Sequence, residues 1–411
     1  MKRLMALIMF TLMVCTVSNV YAGESFIEAM KESKPYVDLR LRYEFVDQDG
    51  LAQDANAKTA RTRLGFKTGE WNHFVAAVEG ENVVYLGNDD YNDTVNGRTD
   101  HPVVADPENT QLNQAYLEFS GISDTTIKGG RQVIVLDAHR FIGHVGWRQN
   151  NQVFDAAMFT NKSIPGTTVK YGFIYNVNRI FGEQSTGGDW GSKSHFYNIA
   201  NTSTPLGKIT TYGYLLDFGS DSAANSNQTF GGSLSGKKEI NGEFTFKYYG
   251  EYAHQSDHGE NTTDYDAHYY HIAPAFVWEG LTTTVGYEVL GSDDSTFAFR
   301  TPLATLHKWN GWADKFLTTP ATGLQDFYVD LTYKVKNLEG DLEFFNGLLA
   351  KFQYHDFDAD DGGSDHGKEW GVYFKQPINK NIYVETKYAN YNADNTSTDT
   401  QKLIFGVGIK Y

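Results

Sequence analysis

Cysteine is all but absent: the 411 residues contain one, Cys15, and it sits in an apolar leader. A chain cleaved behind that leader has no thiol, so disulfides, thiolate nucleophiles and cysteine-ligated metals are excluded from the mature protein. Long apolar runs are missing after the leader, and nothing there approaches the roughly 20 apolar residues a transmembrane helix needs. Positive charge is in deficit, with 35 Lys and Arg against 51 Asp and Glu and a formal charge of −16. That balance argues against nucleic acid as a partner. Proline is scarce at 9 residues, whereas Gly (40), Tyr (26) and Phe (27) are abundant. Such a composition, at moderate hydrophobicity, suits β-structure with one apolar face and one wet face.

The leader has the form of a secretory signal. Lys2 and Arg3 precede an apolar stretch from Leu4 to Val17, and Val20 and Ala22 supply small residues ahead of Gly23. The stretch is too short to span a bilayer as a helix. A lipoprotein reading fails at Val14, where a small residue is expected before Cys15. The expected organisation is a cleaved signal over 1–22 and a single β-domain over 23–411.

The first strand after the signal is the clearest. Val37, Leu39, Leu41, Tyr43 and Phe45 alternate with Asp38, Arg40, Arg42 and Glu44, a period of two that predicts a strand with unlike faces. Energy assigns the faces if that strand spans a membrane. A Lys or Arg on the lipid side at the bilayer midplane costs about 2–4 kcal/mol, so the charged set faces the lumen. Thr59, Arg61, Arg63 and Lys67 alternate in the same way with Ala60, Leu64 and Phe66, as do Gln114, Tyr116 and Glu118 with Ala115, Leu117 and Phe119.

Further strands are predicted along the whole chain, among them 126–136, 265–277 and 343–354. The count is about eighteen, or sixteen if the two least regular, 193–200 and 229–237, are not strands. Short turns predicted at 69–71, 120–125, 201–207, 239–242, 279–280, 336–341 and 377–380 alternate with longer loops at 86–110, 137–150, 177–191, 290–324 and 355–367. That is the pattern of an antiparallel up-and-down transmembrane β-barrel with short periplasmic turns and long extracellular loops. At the end of the chain Leu403, Phe405, Val407, Ile409 and Tyr411 alternate and finish on an aromatic residue. This resembles the recognition signal of the outer-membrane barrel assembly machinery. The expected location is the outer membrane of a Gram-negative bacterium, in contact with its lipid and lipopolysaccharide.

Three segments carry more than barrel pattern: GGRQ at 129–132, HRFIG at 139–143 with VGWRQN at 145–150, and TLHKWNGWAD at 305–314. Together they resemble the alginate-export family of outer-membrane porins over most of the mature chain. The resemblance implies a monomeric barrel of about eighteen strands with an arginine-rich lumen that passes an anionic polysaccharide. The chemistry agrees, since each uronate carries a carboxylate and the guanidinium fork matches it. Rings of Arg or Lys are the expected selectivity device of an anion pore.

The candidate pore-lining arginines are therefore Arg40, Arg42, Arg61 and Arg63, joined through the resemblance by Arg131, Arg140 and Arg148; Arg179 extends the set. Arg61 and Arg63, two apart on one strand, share a face. The alternative is that these arginines are wall residues paired with Asp38, Glu44, Glu79, Glu118 and Asp155. Loop 137–150 either folds inward to narrow the channel or stays outside. His307, Lys308, Trp309 and Trp312 either gate the mouth and stack on sugars or sit at the membrane interface.

Other chemistry finds little support. Residues 356–365 (DFDADDGGSD) resemble a calcium loop, but Gly362 is one place late and position twelve is Gly367 rather than glutamate. Histidines such as His254, His258, His268 and His271 form no isolated triad, so no enzyme, cofactor or metal site is expected. Two further functions are open: a diffusion porin for small solutes, and a surface adhesin or receptor using the long loops.

Overall fold

The computed structural model describes residues 22–394 and 397–411; the predicted signal, Cys15 included, lies outside the described residues except for Ala22. A helix α1 (Ala22–Lys31) precedes eighteen staves. They are β1 (Lys34–Gln48), β2 (Ala55–Lys67), β3 (Phe74–Tyr85), β4 (Asn109–Ile122), β5 (Thr125–Gln132) and β6 (Val153–Asn161). Next come β7 (Thr167–Asn178), β8 (Asp189–Thr204), β9 (Gly207–Leu216), β10 (Asn227–Glu239), β11 (Phe244–Asp257) and β12 (Asp266–Ile272, continued by Ala275–Trp278). The last are β13 (Leu281–Leu290), β14 (Leu324–Lys334), β15 (Leu349–Asp358), β16 (Asp365–Pro377), β17 (Ile382–Asn392) and β18 (Thr400–Lys410). Both parts of β12 pair with the same neighbours, β11 and β13. The ladder breaks between them at Pro274, which has no N–H to donate.

Every stave pairs antiparallel with its neighbours in sequence, and β1 pairs with β18 to close the barrel, Leu41 opposite Val407. Val37 and Tyr411 exchange both backbone bonds at 2.9 Å. Closure leaves no free edge, so every ladder is satisfied, the condition for crossing lipid with strands. No helix among the described residues is long and apolar enough to cross a membrane.

The predicted faces hold. Leu41, Leu64, Val78 and Phe405 are exposed on the outside, while Arg40, Arg42, Arg61, Arg63, Glu44, Glu79 and Glu81 are buried within. Both weak strand predictions, 193–200 and 229–237, fall in real staves, β8 and β10.

Three boundaries differ from expectation. The strand predicted from Glu343 begins at Leu349, because residues 335–348 form a longer link containing a 3-10 turn (Gly340–Phe345). The Asn346 side chain closes that link on the backbone N–H and C=O of Leu338, both at 2.9 Å. The loop predicted at 355–367 shrinks to 359–364 as β15 and β16 extend into it. The strand predicted over 126–136 stops at Gln132; Ile134 and Leu136 leave the wall and bury themselves in the lumen.

That departure starts the interior. Residues 86–108, 133–152 and 291–323 turn into the barrel: the links expected at 86–110 and 290–324 as outer loops are interior, and of the two alternatives for 137–150 the structure shows the inward one. Phe141 and Ile142 pack against Phe154, Ile174, Tyr212, Tyr214, Tyr269, Phe299 and Leu303. The Phe141 ring lies 5.2–6.0 Å from the rings of Tyr212, Tyr214, Tyr269 and Phe299. An apolar core thus fills the lumen chiefly on the β6–β13 side, reaching Phe357 of β15 and Tyr391 of β17, while polar and charged side chains line the wall at β1–β2 and β16–β18. Removing such an aromatic from a packed core costs about 3–5 kcal/mol.

Candidate pore and anion site

The first two strands set the basic wall. Arg40 and Arg42 alternate inward on β1, Arg61 and Arg63 on β2, and register places Arg40 opposite Arg61. Barrel closure brings β18 to the other side of β1, so Lys410 stands opposite Asp38. Beyond it, β17 and β16 add Lys387 and Lys375. These seven cations line one cavity of about 320 Å3, against two carboxylates, Asp38 and Glu385. Glu81 and Asp106 behind the lining pair with Arg63 and Arg42, yet cations still outnumber carboxylates here in a chain whose total is −16; the local field, rather than net charge, governs what enters a narrow lumen. The cavity lies near both chain ends and the short turns, which places it on the periplasmic side.

Pairing differs along the wall. Arg61 Nη2 meets Asp38 Oδ1 at 2.5 Å, and Arg63 pairs with Glu81. The Nε atoms of Arg61 and Arg42 are buried with no hydrogen-bond partner. Arg40 spends its donors on the inward loop: Nε to Gln149 Oε1 at 2.8 Å, Nη1 to Gly146 O at 3.0 Å, and Nη2 to Arg148 O. Arg42 Nη2 donates to Trp147 O. These two arginines charge the chamber and also pin residues 146–149 against it. Gln149 completes the pin through Thr59 Oγ1 at 2.8 Å.

A larger cavity of about 770 Å3 opens on the long-loop side, lined among others by Gln48, Arg148, Arg179, His307, Asp314, Lys315 and Lys402. Trp147 lines both chambers. The His307 ring stacks on it at 3.4 Å and 14°, so the pair forms the partition between them. Burial holds His307 well below its ordinary pKa, outweighing the pull of Asp314. The neutral ring therefore donates from Nδ1 to Asp314 Oδ1 at 2.7 Å and accepts at Nε2 from Lys387 Nζ at 2.7 Å. In the inner chamber burial, His139 and the nearby arginines push His144 down to about 4, so it adds no charge at neutral pH. Trp147→Ala removes the partition while keeping the backbone that Arg42 holds. Single-channel conductance should rise by about twofold or more, because the narrowest section dominates the resistance of a pore; an unchanged conductance would place the constriction elsewhere.

The other predicted residues separate. Arg148 lines the outer chamber and joins Glu44 Oε2 (2.9 Å), Asp106 Oδ2 (3.5 Å) and Asp314 Oδ2 (3.4 Å). Arg140 lies off the path as a staple. Its Nε meets Glu288 Oε1 of β13 at 2.7 Å, its Nη1 reaches Thr301 and its Nη2 Asn310, between the rings of Tyr269 and Trp309. Arg131 is not a pore residue. It shares the face of Ile127, which is exposed to the outside, and grips Asp155 with Nε and Nη2 at 2.7 and 3.0 Å. Near the rim an outward arginine costs only about 0–1 kcal/mol, and here it is paired.

Trp309 and Trp312 are interior and away from the membrane interface. Glu369 of β16 accepts the backbone N–H groups of Trp312 and Ala313. Sequence reasoning passed over Lys375, Lys387, Lys402 and Lys410, although their alternation with Phe374, Tyr388, Leu403 and Ile409 marks them as inward. Across the lumen Glu288, Asp326 and Asp330 line a third cavity. Among the described residues no group of His, Cys, Asp and Glu is arranged to hold a metal ion.

Against known proteins, residues 36–290 match the model of the alginate export family. The chain belongs to the alginate-export family. The match stops short of the 305–314 segment. No functionally curated protein is detectably similar in sequence. Solved structures with this alginate-export barrel's fold include OccAB4 of Acinetobacter baumannii, at 16% identity and TM-score 0.72, covering 92% of this chain and 98% of that one. OccAB2 of the same organism gives 16% and 0.71 over 93% and 98%. OpdK of Pseudomonas aeruginosa, solved with vanillate, gives 14% and 0.69 over 93% and 100%. The protein is an outer-membrane β-barrel channel of a Gram-negative bacterium.

Proposed function

We propose that this channel passively conducts anionic saccharides, with uronate carboxylates drawn along the basic wall of β1, β2, β16, β17 and β18. The observation that supports this reading most is the inner chamber, where seven cations face two carboxylates. Carboxylate is the natural ligand of such a set: guanidinium binds it bidentately and with weak hydration, and lysine adds compact charge. The partition at Trp147 and His307 favours chains that thread singly and offers a ring face to a sugar.

A second reading is a channel for small carboxylates. It is favoured by the narrow partition and by the vanillate bound to OpdK, a barrel of the same fold. Single-channel current of the purified protein under a salt gradient, before and after adding oligouronate, tests both. Anion selectivity with concentration-dependent block by oligouronate is expected. Anion selectivity with block by a small aromatic carboxylate alone would favour the second reading, and cation selectivity would sink both.

A further inference from the structure

Asp314 is a carboxylate of the protein's own, standing in the anion path where the chambers meet. Its Oδ2 accepts from Lys402 Nζ at 2.6 Å and Arg148 Nη2 at 3.4 Å, and its Oδ1 accepts from His307 Nδ1 at 2.7 Å. Lys402 has no other ion pair among the described residues. Neighbouring Lys387 has no carboxylate within ion-pair distance there, and lies instead 4.6 Å over the Trp312 ring. At Asp314 thus meet Lys402, Arg148 and His307, with Lys387 on the far nitrogen of His307 and Arg148 also held by Glu44 and Asp106.

The backbone is bent to deliver that group. Asp314 has φ +63°, and Asn310 and Gly311 just before it are also left-handed, at +52° and +84°. A non-glycine residue in that region is uncommon, and strain of this kind gathers at ligand clamps and switches. Asp314 also belongs to a loop, residues 291–323, rather than to a stave. It can leave without breaking any ladder of the barrel wall.

We propose that Asp314 is a resident surrogate for cargo: its carboxylate fills the site of Lys402, Arg148, His307 and Lys387, and an incoming carboxylate takes its place and frees the junction. The ligand class is a carboxylate, with a uronate as the member that fits the proposed function, on which this inference rests. The exchange substitutes one anion for another, so the buried cations are never left uncompensated, which is the costly state. Lys402, Arg148, His307 and Asp314 all line the outer chamber, so the ligand reaches the site from the long-loop side. The removal of Asp314 also relaxes the left-handed bend.

The test is bilayer recording of the full-length channel and of Asp314→Asn, with sodium glucuronate as the probe and glucose as the neutral control. In the parent, glucuronate should lengthen open events in a saturable way and glucose should not. Asp314→Asn should raise the basal open fraction by about twofold or more and abolish the glucuronate-dependent gain. A parent with anion selectivity but an Asp314→Asn variant that matches it in both respects overturns the surrogate and leaves the anion channel standing. A parent without anion selectivity overturns the channel reading itself. Should Asp314→Asn fail to assemble, judged by heat-modifiable gel mobility, Lys402→Gln tests the same site from the wall. It should raise the basal open fraction and weaken half-saturation by glucuronate about fivefold or more; wild-type values for both would overturn the proposal.

Discussion

Replacing Arg61 and Arg63 together with glutamine should take away most of the channel's anion selectivity. Both line the inner chamber, and neither holds the inward loop, which is the task of Arg40 and Arg42. At about 8 Å and a water-like dielectric, each lost charge is worth about 0.5 kcal/mol to a passing ion, and more where the wall excludes water. Two charges, acting with opposite sign on anions and cations, should shift the anion-to-cation permeability ratio by about tenfold or more. Asp38 and Glu81, released from their partners, push the same way. Reversal potentials under a salt gradient measure the ratio directly, and raising the salt should shrink the difference as screening sets in. A ratio within twofold of the parent's would remove these arginines from the selectivity device.

Glu288→Ala should free the interior loops from the wall while the barrel stays closed. Glu288 is buried on β13 and receives Arg140 Nε, Tyr269 Oη and Asn310 Nδ2 at 2.6–2.7 Å. It therefore ties loop 133–152 and loop 291–323 to one point. Deleting it leaves the Arg140 guanidinium buried beside Tyr269 without its counter-ion, a loss of about 3–5 kcal/mol for a broken buried pair. The staves keep their ladders, so heat-modifiable gel mobility should persist. Protease sensitivity should appear within 291–323, and conductance should rise with added flicker. Replacing both partners, as Arg140→Met with Glu288→Leu, should recover much of the closed state, because no buried charge is then orphaned. Parent-like conductance and protease resistance in Glu288→Ala would show that other contacts hold the loops.

The wall was readable residue by residue. The strict alternation in 36–45 and 403–411 identified the lipid-facing residues, since a misplaced arginine at mid-membrane is too costly to tolerate. The same rule applied to Ile127, Gly129 and Arg131 would have turned Arg131 outward; the family segment GGRQ outweighed the parity of the strand. The lysines of β16, β17 and β18 were equally legible as inward residues. Their partnership with Arg40 and Arg61 needed the further step of closing the last strand on the first.

The interior is where sequence and structure part. Period-two alternation is a local property, so the chain alone determined the barrel, its faces, its count of about eighteen strands and its family resemblance. Whether a long link stays outside or enters the lumen depends on contacts far apart in the chain. Arg140 reaches Glu288, Gly143 N–H meets Leu303 O, and Trp147 stacks on His307. No local pattern encodes those pairings, because each depends on where eighteen staves place residues more than a hundred positions apart. Only the tertiary structure decided that an apolar core enters the lumen, that two chambers meet at Trp147, and that Asp314 stands where a cargo carboxylate would pass.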